Sequence, residues 1–229
     1  MNIHKRYRTI GIVRKNLEVY CRMTIIKNFN KKVILASNSP RRRELLCQIG
    51  IKPEIIPSQI EEKPISKVPE EVVMELSLQK AEDVAAKSPD GVLVIGADTI
   101  VAVEGIILGK PKSHEEAYQM IKQIQGRSHK VYTGVTLIDK EKDRDKKISF
   151  VEQTEVLVYP MTEEEIKTYA DSQEPMDKAG AYGIQGKFAA YIEGIRGDYN
   201  NVVGLPVGRV YQEWKKLMVN EQAGKEALR

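Results

Sequence analysis

Residues 33–46 read Val-Ile-Leu-Ala-Ser-Asn-Ser-Pro-Arg-Arg-Arg-Glu-Leu-Leu, a β-branched apolar run followed at once by apolar residues at helical spacing. Whatever fold the chain adopts must accommodate a buried strand that passes straight into a helix. Ser39 suits the N-cap of that helix, with a hydroxyl free to accept from the first exposed amides, and Pro40 suits its first position because it lacks an N–H. The junction then presents unpaired N–H groups and the positive end of the helix dipole beside Ser37, Ser39, Arg41, Arg42 and Arg43. Backbone donors, hydroxyls and forked guanidinium groups can each take a different oxygen of a phosphate. The competing reading is a capped surface helix with a solvated basic first turn, although basic side chains oppose the dipole at that end.

A second constraint lies at residues 92–103, Val-Leu-Val-Ile-Gly-Ala-Asp-Thr-Ile-Val-Ala-Val, a strand apolar throughout except at its middle. A strand buried on both faces reads as continuous Val and Ile, and an ionised aspartate inside it costs several kcal/mol unless paired, hydrogen-bonded or metal-bound. Asp98 is therefore expected where the strand opens onto a cleft, with the Thr99 hydroxyl next to it. The alternative is an aspartate that ends the strand in an Asx-turn.

Between and beyond these stretches the pattern alternates. A short strand is expected over residues 51–56 after Gly50, then a loop carrying Glu61 and Glu62, whose carboxylates could be plain solvated charge. Residues 69–87 have helical periodicity, with Lys80 close to the apolar side. Glu104-Gly105 turns the chain into residues 106–108, and Lys110 is held between Gly109 and Pro111. Ser113 with Glu116 and Thr162 with Glu165 are capping boxes that open helices to about residues 125 and 170. Residues 129–139 and 148–159 read as strands, as do residues 188–195, and residues 202–219 read as a helix with Pro206 near its start. The loop at 174–186 has three glycines spaced by three, which let backbone approach a ligand closely, and Gln185 offers a donor and an acceptor as an amide reading a base edge would.

Composition narrows the classes. With 229 residues, 30% charged and 41% hydrophobic, the chain matches a soluble globular protein with one core or two lobes around a cleft, and no apolar run is long enough to span a bilayer. The formal charge of +4 is misleading: residues 1–32 hold nine Lys/Arg and one Glu, or +8, which leaves −4 for everything after. Nucleic-acid binding by the body is therefore not expected. Residues 1–31 are read as a basic, weakly ordered extension without the apolar centre of a secretory signal, residues 32–219 as one domain and residues 220–229 as a tail. Cys21 and Cys47 show no metal spacing and read as reduced thiols of a cytoplasmic protein.

Several chemistries are absent from the sequence. Gly-Lys occurs at 109–110, 186–187 and 224–225 and is followed by proline, phenylalanine and glutamate, never by serine or threonine, so there is no Walker A loop; the glycines do not form a dinucleotide fingerprint; and the three histidines at 4, 114 and 129 fit no zinc spacing. A Ser-His-Asp hydrolase would lack its nucleophile elbow. What recurs is anion-binding equipment on loops and acids beside apolar strands. Arg41, Arg42, Lys80 and Lys110 suit phosphate oxygens, and Glu62 and Asp98 suit a hard divalent ion shared with those oxygens.

The ordered series Leu-Ala-Ser-Asn-Ser-Pro-Arg-Arg-Arg-Glu-Leu-Leu, Gly-Ala-Asp-Thr, Leu-Gly-Lys-Pro, Gly-Arg-Ser-His-Lys-Val-Tyr-Thr-Gly-Val, Glu-Pro-Met-Asp-Lys-Ala-Gly-Ala-Tyr-Gly-Ile-Gln-Gly and Asn-Val-Val-Gly-Leu-Pro resembles the motifs of the Maf family of nucleoside triphosphate pyrophosphatases. The resemblance covers about residues 32–218. It implies an α/β fold of two lobes around an elongated mixed sheet with flanking helices, similar to inosine triphosphate pyrophosphatases and often homodimeric. It also implies hydrolysis between the α and β phosphates, with a divalent cation, Mg²⁺ or Mn²⁺. Ser-Pro-Arg-Arg, Ala-Asp-Thr and Gly-Ile-Gln-Gly resemble the branch acting on dTTP and UTP; the 7-methyl-GTP branch instead carries tryptophan after the proline, Ser-Asp-Gln, and a Ser-Glu-Gly ending to the late loop. By this resemblance Asp98 matches the proton acceptor. Arg41, Thr99 and Gln185 match specificity positions, and Ser37, Arg42, Glu62, Lys80 and Lys110 match the phosphate and metal neighbourhood. Asp98 is left as either a metal ligand or the base. The competing function is a nucleotide-responsive regulator of septum formation in which hydrolysis is secondary.

Overall fold

A computed structural model of the chain describes residues 31–226, with side chains as far as Met218. Residues 1–30, which hold most of the basic extension and Cys21, lie outside the described residues, as do residues 227–229. The strands are β1 (Lys32–Leu35), β2 (Glu54–Ile55), β3 (Val92–Val103), β4 (Ile106–Leu108), β5 (Ser128–Asp139), β6 (Lys146–Val158) and β7 (Ile192–Arg196). The helices are α1 (Pro40–Gln48), α2 (Pro69–Ala85), α3 (His114–Ile124), α4 (Glu163–Ala170), α5 (Tyr199–Val203) and α6 (Val207–Glu226).

The strands form one mixed sheet in the order β2-β1-β3-β5-β6-β7, with β4 alongside β3. β1 runs parallel to β2 and β3, and every other pairing is antiparallel. β3, β5 and β6 are 12, 12 and 13 residues long, which makes the sheet elongated. β3 keeps its Val and Ile residues buried on both faces, as its unbroken apolar run requires. One face carries the main core, where Leu93, Ile95 and Val101 meet Leu46, Ile121 and Trp214. On the other face Val94 and Ile100 pack under α2, with Ala81 and Val73 respectively.

α1 begins at Ser39-Pro40 as its sequence suggests, but the Ser39 side chain makes no cap bond. Its own N–H instead donates to Ser37 Oγ at 3.2 Å, so the preceding loop is folded back on itself. Gly50, at φ 84°, closes the helix: the Gly50 N–H donates to Cys47 O at 2.9 Å and the Ile51 N–H to Leu46 O at 3.0 Å, a Schellman arrangement. Thr162 and Glu165 form the full reciprocal capping box. Ser113 accepts from the Glu116 N–H, but the Glu116 carboxylate takes the Lys112 N–H at 2.7 Å, which makes half a box.

Three expected elements differ. The strand expected over residues 51–56 is reduced to Glu54–Ile55, because Pro53 and Pro57 on either side donate nothing to a ladder. The strand expected from residue 188 begins only at Ile192; a tight helical turn over Lys187–Tyr191 precedes it and buries Phe188 against the rings of Tyr169, Tyr182 and Tyr191 at 5.0, 4.9 and 5.6 Å. Ring packing there outweighs the β-propensity of the segment. The single helix expected over residues 202–219 is two, because Gly204 turns at φ 129° and Pro206 blocks continuation. The second, α6, runs on to Glu226, into the residues read as a tail. Among the described residues, no helix is long and apolar enough to cross a membrane.

Candidate active site

Asp98 lies where β3 loses a neighbour. β1 pairs with Val92–Ile95 and its last contact is the Ala36 N–H to Ile95 O at 2.8 Å, while β4 joins the same edge only from Val101. Residues 97–100 thus have β5 on one side and no strand on the other among the described residues. The opening stands at the carboxyl end of a parallel strand, the position at which open α/β sheets form crevices. The strand continues to Val103, so Asp98 does not end it in an Asx-turn.

Two glycines bring α2 onto this spot. A methyl group on Gly96 would lie 2.3 Å from Ser77 O, and one on Gly134, the register partner of Asp98, 2.1 Å from Val73 O. Helix backbone and sheet touch because neither position carries a side chain. Lys80, one turn beyond Ser77, therefore reaches Asp98: Nζ is 2.5 Å from Asp98 Oδ1 and 2.9 Å from Glu62 Oε1. The Lys80 and Asp98 side chains are 13% and 14% exposed, so this pair is largely removed from solvent, while Glu62 stands half exposed at its rim.

Thr99 faces the opposite side of the sheet and meets Arg42. Arg42 is only 9% exposed; its Nε donates to Gly204 O at 2.9 Å, one terminal nitrogen to Ser37 Oγ at 3.0 Å and the other to Thr99 Oγ1 at 3.0 Å. Thr99 Oγ1 also lies 2.9 Å from Thr133 Oγ1, and Thr133 donates to Asn201 O at 3.2 Å. Burial lowers the pKa of the Arg42 guanidinium and Asp98 pushes it back up, but a guanidinium stays charged in any case. The solvated basic turn that the sequence allows does not describe Arg42. Arg41, by contrast, reaches outward to Asp177 Oδ2 at 3.1 Å. Burial raises the Asp177 carboxyl, and the stronger pull of Lys178 and Arg41 leaves it below its ordinary value.

One cavity of about 760 Å³ gathers all of this. Ser37, Arg41, Arg42, Glu62 and Lys80 line it, and so do Asp98, Thr99, Lys110 and Gln185, so the structure brings these nine to one hollow, while Arg43, named beside them in the sequence, is exposed and outside it. The volume falls in the range of sites that hold a small organic ligand. Asp177, Lys178 and the Gly204 backbone line it as well and were not singled out, although the loop at 174–186 was. The signal that could have found Gly134 was its place inside an apolar strand.

No three His, Cys, Asp or Glu side chains come together as a metal site among the described residues. Glu62 and Asp98 share the Lys80 ammonium inside the cavity, whose third carboxylate, Asp177, is paired with Arg41 and Lys178 instead. Two carboxylates suit a Mg²⁺-type ion that takes its remaining ligands from water and substrate phosphates, not one held by protein alone.

The family model described as Maf-like protein matches residues 32–217. A dTTP/UTP pyrophosphatase of Carboxydothermus hydrogenoformans is 57% identical over 185 residues, covering 81% of this chain and 98% of its own. Proteins of the same description from Agathobacter rectalis and Bacillus cereus are 52% and 49% identical, covering 82% and 83% of this chain and 98% and 97% of theirs. Among solved structures, the Staphylococcus aureus Ham1 protein aligns at 16% identity with a TM-score of 0.40, covering 56% of this chain and 72% of that one.

Proposed function

The chain belongs to the Maf-like protein family, and on that premise we propose that it hydrolyses dTTP and UTP to the monophosphate and pyrophosphate. The observation that carries the reading is the shared cavity: the cationic start of α1 and the open-edge acid of β3 face one hollow large enough for a nucleotide.

In this reading Arg41, Lys110 and the loop around Ser37 hold the triphosphate. Arg41 exchanges its exposed partner Asp177 for phosphate oxygens, and Arg42 fixes Ser37 and Thr99 while presenting its remaining N–H groups to the hollow. Asp98 accepts the proton of the attacking water. Lys80 moves from the carboxylates to the charge that gathers on the departing pyrophosphate, since placed charge supplies most of the catalysis in phosphoryl transfer. Glu62 and Asp98 would hold a divalent cation, Mg²⁺ or Mn²⁺, whose chemistry when bound is to acidify water and offset phosphate charge. Gln185 reads the base edge and Thr99 the neighbouring part of the nucleoside. The reading extends to a cytoplasmic protein able to form a homodimer, and sedimentation of the purified chain tests the association.

The test is pyrophosphate release from a panel of canonical and modified triphosphates, with Mg²⁺, with Mn²⁺ and with chelator. dTTP and UTP should lead the panel and chelator should abolish release. Turnover of purine triphosphates in preference to both would reject the substrate assignment.

A further inference from the structure

Gln185 sits at the third position of a tight turn, because the Gly186 N–H donates to Gly183 O at 3.1 Å. Both glycines of that turn rest on side chains from earlier in the same loop. A methyl on Gly186 would fall 2.0 Å from Glu174 Oε1, and one on Gly183 would fall 2.6 Å from Lys178 Cε. Glu174 is engaged at both carboxylate oxygens: Oε1 accepts from the Tyr169 hydroxyl at 3.1 Å and Oε2 from the Lys187 N–H at 3.0 Å. Its backbone carbonyl accepts from Lys178 Nζ. One residue therefore ties helix α4 to the residue after the turn and holds the lysine that supports the turn's other glycine.

Glu174 is not among the residues lining the cavity, whereas Gly183, Gln185, Gly186 and Lys178 are. It can act on a bound nucleotide only through the turn. We propose that Glu174 is the positioning residue for nucleobase selection, and that by fixing the Gly183-to-Gly186 turn it sets where the Gln185 amide stands. The proposal rests on the reading of Gln185 as the base-reading group. A side-chain amide carries a donor and an acceptor and can present them in either order, so uracil and thymine are told from cytosine only if the amide is held in place. Loss of the Glu174 contacts frees the amide to meet the cytosine edge in the reversed order.

Steady-state kinetics on dTTP, UTP, dCTP and CTP, with thermal unfolding of each protein, test this in wild type, Glu174→Ala, Glu174→Gln, Lys187→Pro and Gln185→Ala. Glu174→Ala should raise KM for dTTP about tenfold and the relative kcat/KM for dCTP about tenfold, with kcat within about twofold, since it misplaces a binding group and not a reacting one. Glu174→Gln keeps an oxygen for the Lys187 N–H and should recover most of the selectivity. Lys187→Pro deletes that N–H at the first position of a helical turn, where proline is tolerated, and should relax selectivity in the same direction by about threefold even if Glu174→Ala fails to fold. Folded Glu174→Ala and Lys187→Pro proteins with wild-type selectivity, beside a relaxed Gln185→Ala, overturn the proposal alone. Wild-type selectivity in Gln185→Ala overturns the base-reading role and this proposal with it. A wild-type enzyme that leaves dTTP and UTP intact overturns the proposed function itself.

Discussion

Asp98 and Thr99 are consecutive in β3 and face opposite sides of the sheet, and their surroundings differ in kind. On the α2 side Asp98, Lys80 and Glu62 are held chiefly by one another, through Lys80 at 2.5 and 2.9 Å. On the α1 side the cation Arg42 is held by uncharged oxygens from the Ser37 loop, β3 and the turn at Gly204. A set of mutual ion pairs can exchange partners when a new charge enters the cavity. A guanidinium fixed by a carbonyl and two hydroxyls cannot do so without leaving buried acceptors bare. The first side is thus suited to chemistry and the second to holding the wall on which the chemistry occurs.

The largest expected effect tests the first side. Asp98→Asn keeps the shape of the side chain and removes its basicity, so pyrophosphate release should fall at least about 100-fold, a usual size for loss of a general base. The melting temperature should move little, because Lys80 keeps Glu62 as a partner. A rate within threefold of wild type would erase the contrast between the two sides.

Next in size is the pair of adjacent arginines. Arg42→Met takes the buried guanidinium from Gly204 O, Ser37 Oγ and Thr99 Oγ1, which keep only the long bond from Thr99, the Ser39 N–H and Thr133, and should lower unfolding stability by roughly 2 to 3 kcal/mol in urea titration. Arg41→Met removes a partly exposed ion pair with Asp177 and should change stability by less than about 1 kcal/mol while raising KM. Equal stability losses at the two positions would mean that Arg42 is not the fixed member.

Much of this contrast was legible in the sequence, and the missing parts share a cause. Asp98 stands out because it breaks an apolar strand, a signal that belongs to one residue and its immediate neighbours. The Thr162 box and the Pro40 helix start are equally local. Arg41, Arg42 and Arg43 look alike in the chain, and only the return of Gly204 from a distant turn separates Arg42 from the others. The same holds for Gly134, whose closeness to Val73 depends on how α2 lies, and for Phe188, whose three aromatic neighbours override the strand its sequence favours.

His129 sharpens the comparison from another direction, because it is buried on the same face as Thr99 but can shed its proton. Its Nε2 lies 2.7 Å from the Tyr182 hydroxyl, and burial pushes its pKa down to about 4. Between the ordinary value of 6.5 and about 4, the unfolded chain binds a proton that the folded chain refuses, so stability falls as pH falls through that window. From neutral pH to pH 5 the loss should be roughly 2 kcal/mol, and His129→Gln should remove that part of the slope. Asp83, held down to about 2, contributes its own loss only at lower pH, below its ordinary 3.8. An unchanged slope in His129→Gln would show that burial does not govern His129 as it does Arg42 on the same face.

The smallest effect is at Thr99. Thr99→Val keeps the β-branched shape and deletes only the oxygen that Arg42 and Thr133 share, so it should cost about 1 kcal/mol, while Thr99→Ser should be nearly neutral. Thr133 would still have Asn201 O, and Arg42 would still have Gly204 O and Ser37 Oγ, which is why the loss stays small. The informative quantity is the double mutant. If Arg42 and Thr99 stabilise the fold through the same bond, Arg42→Met with Thr99→Val should cost about 1 kcal/mol less than the two single losses added together. Strict additivity would mean that each residue is held by its other partners alone, and the α1 side would then be no more of a unit than the ion pairs across the strand.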